Sequence, residues 1–519
     1  MRKQNTMGAH GLVARRMGID THQEPVIYMR EDCPVCRAEG FDAQSRIRVG
    51  NGEREIIATL NVIYDHLLGY EEAGFSESAW RLLQLREGDR VFVSHPEPVE
   101  SFRFVRSKLY GNRLEGPALD AIVQDIVADR YSDVQISAFI AGTAGDRLDD
   151  EEIIALTEAM TAAGERLHWD YPQVVDKHSV GGLPGNRTTP IVVSIVAACG
   201  LIMPKTSSRA ITSPSGTADT METLAPVNLD LADMRRVVDR EGACIAWGGA
   251  VRLSPADDTL IRVERALDVD SEGQLIASVV SKKAAAGSSH VLIDMPIGPT
   301  AKVRSAEAGE RLARRLEKVG QRVGLIIRVL ASDGSQPVGF GIGPALEAQD
   351  VLAVLQNHPQ APRDLRERSL LIAADILEMG GLGDRVHTLQ LARQTLTDGL
   401  AWQKFQAICE AQGGMRTPPR ARHRSTIQAA RSGRVLDMDN RRLSRLAKLA
   451  GAPGAPAAGA EIHVRLGQQL DAGDPLYTIH AETKGELRYA LGYRKTTGEI
   501  ITLANDEHGD AAAEHVTPL

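Results

Sequence analysis

The sequence predicts an α/β multidomain protein: a helical domain, an α/β domain on a parallel or mixed sheet, an N-terminal β-rich domain and a C-terminal α+β domain. Three observations point there. The chain has 519 residues, more than one hydrophobic core usually organises. Between residues 172 and 345 short apolar strands alternate with helical segments, the rhythm of a parallel sheet. On either side of that region the pattern changes, to helices before it and to strand-like text at both ends of the chain.

Residues 45–98 carry the alternating runs "RIRVGNG", "REIIATLNVI" and "DRVFVSHP", punctuated by Asn51, Gly52 and Pro96, which predicts a β-rich domain over 1–98. From 114 to 167, "LEGPALDAIVQDIVADRYSD" and "DDEEIIALTEAMTAAGERL" place apolar residues at helical spacing, with acids in the second segment's first turn. A helical domain over 99–170, joined by 225–282, follows. The α/β domain spans 171–420, with strands in "QVVD", "LIMPK", "HVLIDM" and "RVGLIIRVL", a helix over 303–319 and further helices over 345–415. Its apolar stretch Pro190 to Pro204 is a buried helix running into a strand, too short for the roughly 20 residues of a membrane helix. After "RTPPRARHRS", residues 421–519 are rich in small residues and strand-like, forming the C-terminal domain.

Composition excludes several classes. A formal net charge of −8 and a pI near 6.0 argue against a nucleic-acid binder, which needs clustered basic residues. Five cysteines, odd in number and scattered, do not form a disulfide framework and fit a reducing compartment. Arg15 and Arg16 interrupt the short apolar run near the N-terminus, so no export signal is expected. These features predict a cytoplasmic protein that works on small molecules, with no nucleic-acid or membrane partner.

The chemistry-bearing text begins with "VVDKHSVGGLPGNRTTPIVVSIVAACG": a strand, three glycines among Lys177, His178, Ser179 and Thr188, then an apolar helix. Glycine lets a backbone approach a ligand, helix-start N–H groups point outward, and Lys177 adds full charge, which together suit an anion. The same residues also fit a tight strand-to-helix turn with polar surface groups. A Walker A loop is excluded, because there the Lys closes the motif and here it opens it. A second loop, "PKTSSRAITSPSGTADTMETL", offers Ser207, Ser208, Arg209, Thr212, Ser213, Ser215 and Thr217 before another helix, so two loops converge on one sheet edge. Thr217 alone fits a helix N-cap. Arg209 has the rigid fork that matches phosphate or carboxylate. In "ALDVDSEGQLIASVVSKKAAAG", Ser278 and Lys282 share a helix face and Asp270 precedes them. Lys282 and Lys283 equally fit a solvated pair at a helix C-terminus.

In this order and spacing, "DKHSVGGLPGNRTT", "SSRAITSPSGTADTME" and "ASVVSKKAAAG" resemble the thymidine phosphorylase family, in particular its long-form branch with the AMP phosphorylases. The likeness runs from about residue 100 to the C-terminus, and the extra N-terminal β domain also looks like that branch. It implies phosphorolysis: thymidine and phosphate give thymine and 2-deoxyribose 1-phosphate, or, in the alternative, AMP gives its base and ribose 1,5-bisphosphate. By the matching motifs, Lys177, Ser179, Thr188, Ser207 and Thr217 would bind phosphate. Gly182, the run Ser208, Arg209, Ala210, Ile211, Thr212, Ser213, and Thr217, Ser278, Lys282 and Lys302 would bind the nucleoside or nucleotide. Asp270 falls on the proton donor. A carboxylic acid held neutral there protonates the departing base, although an Asp in a loop is also an ordinary turn residue. His178 would orient the base or shuttle a proton, or serve the fold. Inorganic phosphate is a co-substrate, and no cofactor or metal is expected. The substrate would lie in a cleft between helical and α/β parts, and family members are usually dimers or larger homo-oligomers.

One position departs from the pattern. Pyrimidine-specific members resemble one another in an Arg fifteen residues before the Ser of the Ser/Lys pair, where this chain has Val263, with Arg262 and Arg265 nearby. "CPVC" at Cys33–Cys36 is a lone CxxC, and even with His22 the ligand set for zinc is incomplete. Cys199, Cys244 and Cys409 sit among apolar residues and read as core. The C-terminal "AEIHVRLGQQLDAGDPLYTIHAETKGEL" resembles the barrel-sandwich of biotinyl and lipoyl carriers, but Lys484 lies in "ETKG" without the flanking methionines of a carrier lysine.

Overall fold

The computed structural model describes residues 11–504, apart from residues 22, 65, 211, 212, 252, 268 and 270 and the side chain of Arg265. His22, Ile211, Thr212 and Asp270, all singled out above, therefore lie outside the described residues. The chain divides into two compact units, Met1–Arg147 with Arg262–Val269, and Leu148–Ile261 with Asp270–Leu519.

The first unit opens with β1 (Leu12–Arg16), β2 (Val26–Arg30), α1 (Pro34–Glu39), β3 (Arg46–Gly50), β4 (Glu55–Ile63), β5 (Glu72–Phe75), α2 (Glu77–Leu83) and β6 (Arg90–Ser94). The six strands close a barrel in the order β1-β5-β2-β4-β3-β6, with β6 antiparallel to β1. Leu12 and Ala14, Ile47 and Val49, and Val91 and Val93 are buried in its core, as a period of two demands. Closure leaves no strand edge unpaired. Two of these strands precede residue 45, where the alternating text begins. Cys33 caps α1, its Sγ accepting the Cys36 backbone N–H at 3.2 Å, and both cysteines belong to the barrel core. Three helices follow, α3 (Phe102–Leu109), α4 (Gly116–Val127) and α5 (Asp133–Thr143). Helix α4 buries Leu119, Ile122, Val123 and Ile126, the spacing its sequence predicts.

The second unit starts with α6 (Asp150–Ala162), whose capping box joins Asp149 and Glu152. The α/β region comprises β7 (Val175–Ser179), α7 (Thr189–Ala198), β8 (Met203–Ser207), α8 (Thr217–Glu222), α9 (Leu231–Glu241) and β9 (Ala243–Trp247). It continues through α10 (Pro255–Leu267), α11 (Glu272–Ala285), β10 (His290–Ile297), α12 (Ala306–Arg322), β11 (Ile326–Asp333) and β12 (Gly341–Ile342). Residues Arg262–Leu267 of α10 belong to the first unit. Strands β11, β10 and β7 pair in parallel, as do β8 and β9, and Val175 N donates to Ile202 O at 2.9 Å at the entrance to β8. Helices α13 (Pro344–Leu355), α14 (Arg363–Met379), α15 (Arg385–Thr397) and α16 (Leu400–Ala411) pack with the buried α7. The predicted strands, the predicted helix at 303–319 and the helical return after 345 are all present, each within a few residues.

The C-terminal region holds β13 (His423–Gln428), β14 (Gly433–Met438), α17 (Asn440–Leu449), β15 (Gly459–Ile462), β16 (Gln469–Leu470), β17 (Pro475–Ala481), α18 (Lys484–Thr497) and β18 (Ile501–Leu503). Its sheets run β12-β15-β17-β13 and β16-β14-β18, so a strand from the α/β text completes one of them. Lys484 is the first residue of α18, behind a Thr483–Glu486 capping box. A carrier lysine needs a hairpin tip. Among the described residues, no helix is long and apolar enough to cross a membrane.

The loop after β7 depends on glycine at two kinds of position. Gly185 has φ +71° and an added Cβ would meet Val338 O at 2.1 Å, whereas Gly181, at φ +88°, has open space around it. Gly181→Ala is expected to cost about 1–2 kcal/mol of backbone strain, and Gly185→Ala clearly more, since the carbonyl must also move. Thermal unfolding of the two variants checks the order.

Candidate active site

Two loops leave the C-terminal ends of parallel strands, where ligands bind in α/β sheets. Loop 1 joins β7 to α7. Lys177, 1% exposed, donates from Nζ to Thr188 Oγ1 and, at 3.3 Å, to Thr189 Oγ1. Burial pulls the Lys177 ammonium down to about 8, aided by the charges of Arg187, Arg368 and Lys283 and opposed by Asp294. Ser179 Oγ donates to Asp294 Oδ2 at 3.2 Å, and Asn186 Nδ2 reaches the same oxygen at 3.1 Å. Asp294, fully buried on β10, also accepts from Ser332 at 2.7 Å and Arg368 at 3.1 Å. Gly182 has φ +82°, and a Cβ there would lie 2.5 Å from the Lys302 backbone nitrogen, so loop 1 runs directly against that residue.

Loop 2 joins β8 to α8. Ser207 Oγ donates to Ala246 O at 3.1 Å. Asp219 ties the loop by accepting from Ala210 N at 2.6 Å and Gly216 N at 2.8 Å, and Ser213 Oγ donates to Ser215 O at 3.0 Å. Ser208 O accepts from Ala218 N at 3.3 Å. Because Asp219 closes the turn at Gly216, that residue caps α8, and Thr217, which the sequence fits to an N-cap, is the first helical residue instead. Arg187 of loop 1 donates to Thr217 Oγ1 at 2.6 Å and Ser215 O at 2.9 Å, so the loops meet as expected. The Arg209 fork is engaged by Glu222 at 2.6 and 3.0 Å and by Asp219 at 3.3 Å, and lies 4.9 Å from the Trp247 ring. It braces the loop by charge and by stacking.

Helix α11 carries the third set. Lys282 Nζ donates to Ser278 Oγ at 3.0 Å and to buried Asp257 at 2.7 Å. Lys283 is 3% exposed and donates to Asp176 Oδ2 at 2.7 Å, so the two lysines are not a solvated pair at a helix end. Asp176 also faces Lys205 Nζ at 3.4 Å, and these lysines hold its carboxyl below the usual range although burial alone would raise it. His178 is close enough to feel this cluster. Burial first, then the charges of Lys283, Lys282, Lys205 and Lys177, hold its imidazole well below the usual histidine range. At neutral pH it is therefore a neutral hydrogen-bonding group.

Residues 171–402 match the family described as "Glycosyl transferase family, a/b domain", and residues 103–164 match its helical bundle domain. Over 502 residues the chain is 61% identical to a protein of Polaromonas sp. strain JS666 named "Putative thymidine phosphorylase", covering 97% of this chain and 98% of the relative. The chain belongs to this glycosyl transferase family. A relative of Acidovorax sp. strain JS42, "Putative thymidine phosphorylase 2", is 60% identical over 495 residues, covering 95% of this chain and 96% of its own. The anthranilate phosphoribosyltransferase of Thermus thermophilus superposes with a TM-score of 0.47 at 18% identity, over 59% of this chain and 98% of its own.

Within this member of the glycosyl transferase family, the structure places Lys177, Ser179, Thr188, Ser207 and Thr217 in or at the ends of the elements that two adjoining loops connect, and Ser278 and Lys282 on the helix anchored to β7 through Lys283. The sequence reading missed the residues behind them: Arg187, Asp294, Glu347, Arg368, Asp257 and Asp176. Arg187 and Asp176 stand inside the motifs already quoted, so their signal was present. Asp294, Glu347, Arg368 and Asp257 are far away in the chain and carry no local pattern. Cys244 and Cys409 are buried as expected, and Cys199 is partly buried with its Sγ 3.3 Å from Thr395 Oγ1.

An anion bound beside Lys177 gains from that ammonium only while it is protonated. Sulfate, whose charge is constant over the range, is expected to bind more weakly as pH rises through about 8, where Lys177 loses its proton. Lys177→Gln is expected to bind weakly throughout and to show no such limb in calorimetric titrations.

Proposed function

We propose that the chain catalyses phosphorolysis of a nucleoside, thymidine plus phosphate giving thymine and 2-deoxyribose 1-phosphate. The observation that carries the reading is the buried Lys177 with the Thr188 and Thr217 hydroxyls, on two loops that Arg187 joins. The near full-length identity to relatives named for thymidine phosphorylase supports it. Phosphate held by Lys177 and the loop donors places one oxygen in line with the sugar carbon C1′. A bond forms from that oxygen to C1′ as the bond to the base nitrogen breaks and its electron pair goes to the base. The developing positive charge on the sugar lies beside the phosphate anion, and oriented donors need no reorganisation to hold it.

Neutral His178 and the Ser278–Lys282 pair suit hydrogen bonds to the carbonyl groups of a base. Protonation of the leaving base is assigned to Asp270 on its place in the family motif. Phosphate is a co-substrate and the reaction calls for no further cofactor. A cytoplasmic location and a dimer or larger homo-oligomer belong to the same proposal, resting on the family resemblance and on unpaired cysteines.

A second reading, phosphorolysis of a nucleoside 5′-monophosphate such as AMP, is favoured by one position. Val263, 5% exposed within α10, stands where pyrimidine-specific members carry a base-reading Arg. Base release with phosphate is measured side by side on thymidine, uridine, AMP, CMP and UMP. Thymidine is expected to react fastest; a clear preference for AMP would replace the first reading with the second, and no phosphate-dependent release on any substrate would overturn both. Asp270→Asn is expected to lower kcat by about 100-fold or more with the phosphate KM within about threefold, as removal of a general acid does. Unchanged turnover would remove Asp270 from that role.

A further inference from the structure

We infer that Arg187 is a positioning residue that sets the Thr217 hydroxyl as a hydrogen-bond donor toward the anion, an inference that rests on the phosphate-site reading above. A threonine hydroxyl has one proton and two acceptor lone pairs, while a guanidinium only donates. Arg187 Nη1 lies 2.6 Å from Thr217 Oγ1, so it occupies the acceptor side of that oxygen and leaves the proton for the next partner. A phosphate oxygen, which only accepts when ionised, is the complement of that proton.

The rest of the guanidinium is tied down, which is what makes the setting permanent. Its Nε donates to Glu347 Oε2 at 2.7 Å and its Nη2 to Ser215 O at 2.9 Å. Side-chain exposure is 11% for Arg187 and 2% for Glu347, so the pair is buried. Glu347 in turn accepts from Thr220 Oγ1 at 3.1 Å and Gly343 N at 3.2 Å. A buried pair is costly to keep unless its hydrogen bonds are met, and here they are met by groups from both loops and from the start of α13. Lys177 sets Thr188 in the same way. Ser179 and Ser207 have the opposite polarity, since their protons point inward to Asp294 and to Ala246 O. Of these four hydroxyls, two are thus pre-set as donors, and the one on loop 2 depends on Arg187.

The experiment is a double-mutant cycle of Arg187→Met and Thr217→Val, read as KM for inorganic phosphate and KM for thymidine. Each single variant is expected to raise the phosphate KM about tenfold or more and the thymidine KM by a clearly smaller factor, Thr217 being assigned to both ligands. The double variant is expected to stay within about twofold of Thr217→Val alone, because Arg187 acts through that hydroxyl. Independent, multiplying losses would overturn the inference, and so would an unchanged phosphate KM in Arg187→Met. If Arg187→Met does not fold, Arg187→Lys carries the same cycle: it keeps the charge beside Glu347 but cannot span three acceptors with one fork. A wild-type protein with no phosphate-dependent turnover would remove the phosphate-site reading and this inference together; phosphate-dependent turnover with an additive cycle would remove only the inference.

Discussion

The candidate site depends on one buried carboxylate. Asp176 of β7 is bonded to Lys283 of α11 and faces Lys205 of β8, so it joins the three segments on which the site residues lie. A buried charge of this kind is tolerable only when paired, and removing one partner typically costs about 3–5 kcal/mol. Two lysine amines surround this one carboxylate, and burial with the charge of Lys283 brings Lys205 down to about 7 against the pull of Asp176. Burial first, with the charge of Lys283 among the neighbouring cations, lowers the imidazole of His178 and the ammonium of Lys177.

Much of this was legible in the sequence because strand-end loops keep their ligand-binding residues close together in the chain. Lys177, Ser179 and Thr188 span twelve positions, and Ser207 to Thr217 eleven, so glycines, hydroxyls and a lysine appear as compact text. Ser278 and Lys282, one helical turn apart, were legible for the same reason. Their supports were not. Asp294 and Glu347 reach loop 1 from 115 and 160 residues away, as partners of Ser179 and Arg187, and no periodicity announces a carboxylate whose partner is on another element. The alternatives that the structure closes were local as well. Thr217 also fits a cap by composition, but Asp219 closes the turn one residue earlier, and the alternative of a solvated Lys282–Lys283 pair gives way to two aspartates that accept from them.

The barrel shows the limit of alternation as a signal. Strand β1 ends on the adjacent Arg15 and Arg16, and β2 is buried along four consecutive residues, so neither alternates apolar with polar side chains. Strands β3 and β4 are joined by a short turn through Asn51 and Gly52 and are plain in the sequence. At the other end of the chain, two-residue β12 could not have been found by any pattern. It exists because β15 is there to pair with it.

That two-residue strand has a mechanical consequence. Gly185 of loop 1 bridges to Val338, and three residues further on the same chain enters the C-terminal sheet as β12. Arg465 of the C-terminal region donates to Gly339 O at 2.9 Å and covers the Phe340 ring at 4.9 Å, stiffening the link. The resemblance to carrier domains therefore hides a change of employment. Where a carrier domain swings its lysine between partners, this one is bolted by a short rigid strut to the loop it supports, and the two regions are constrained to vary as one part.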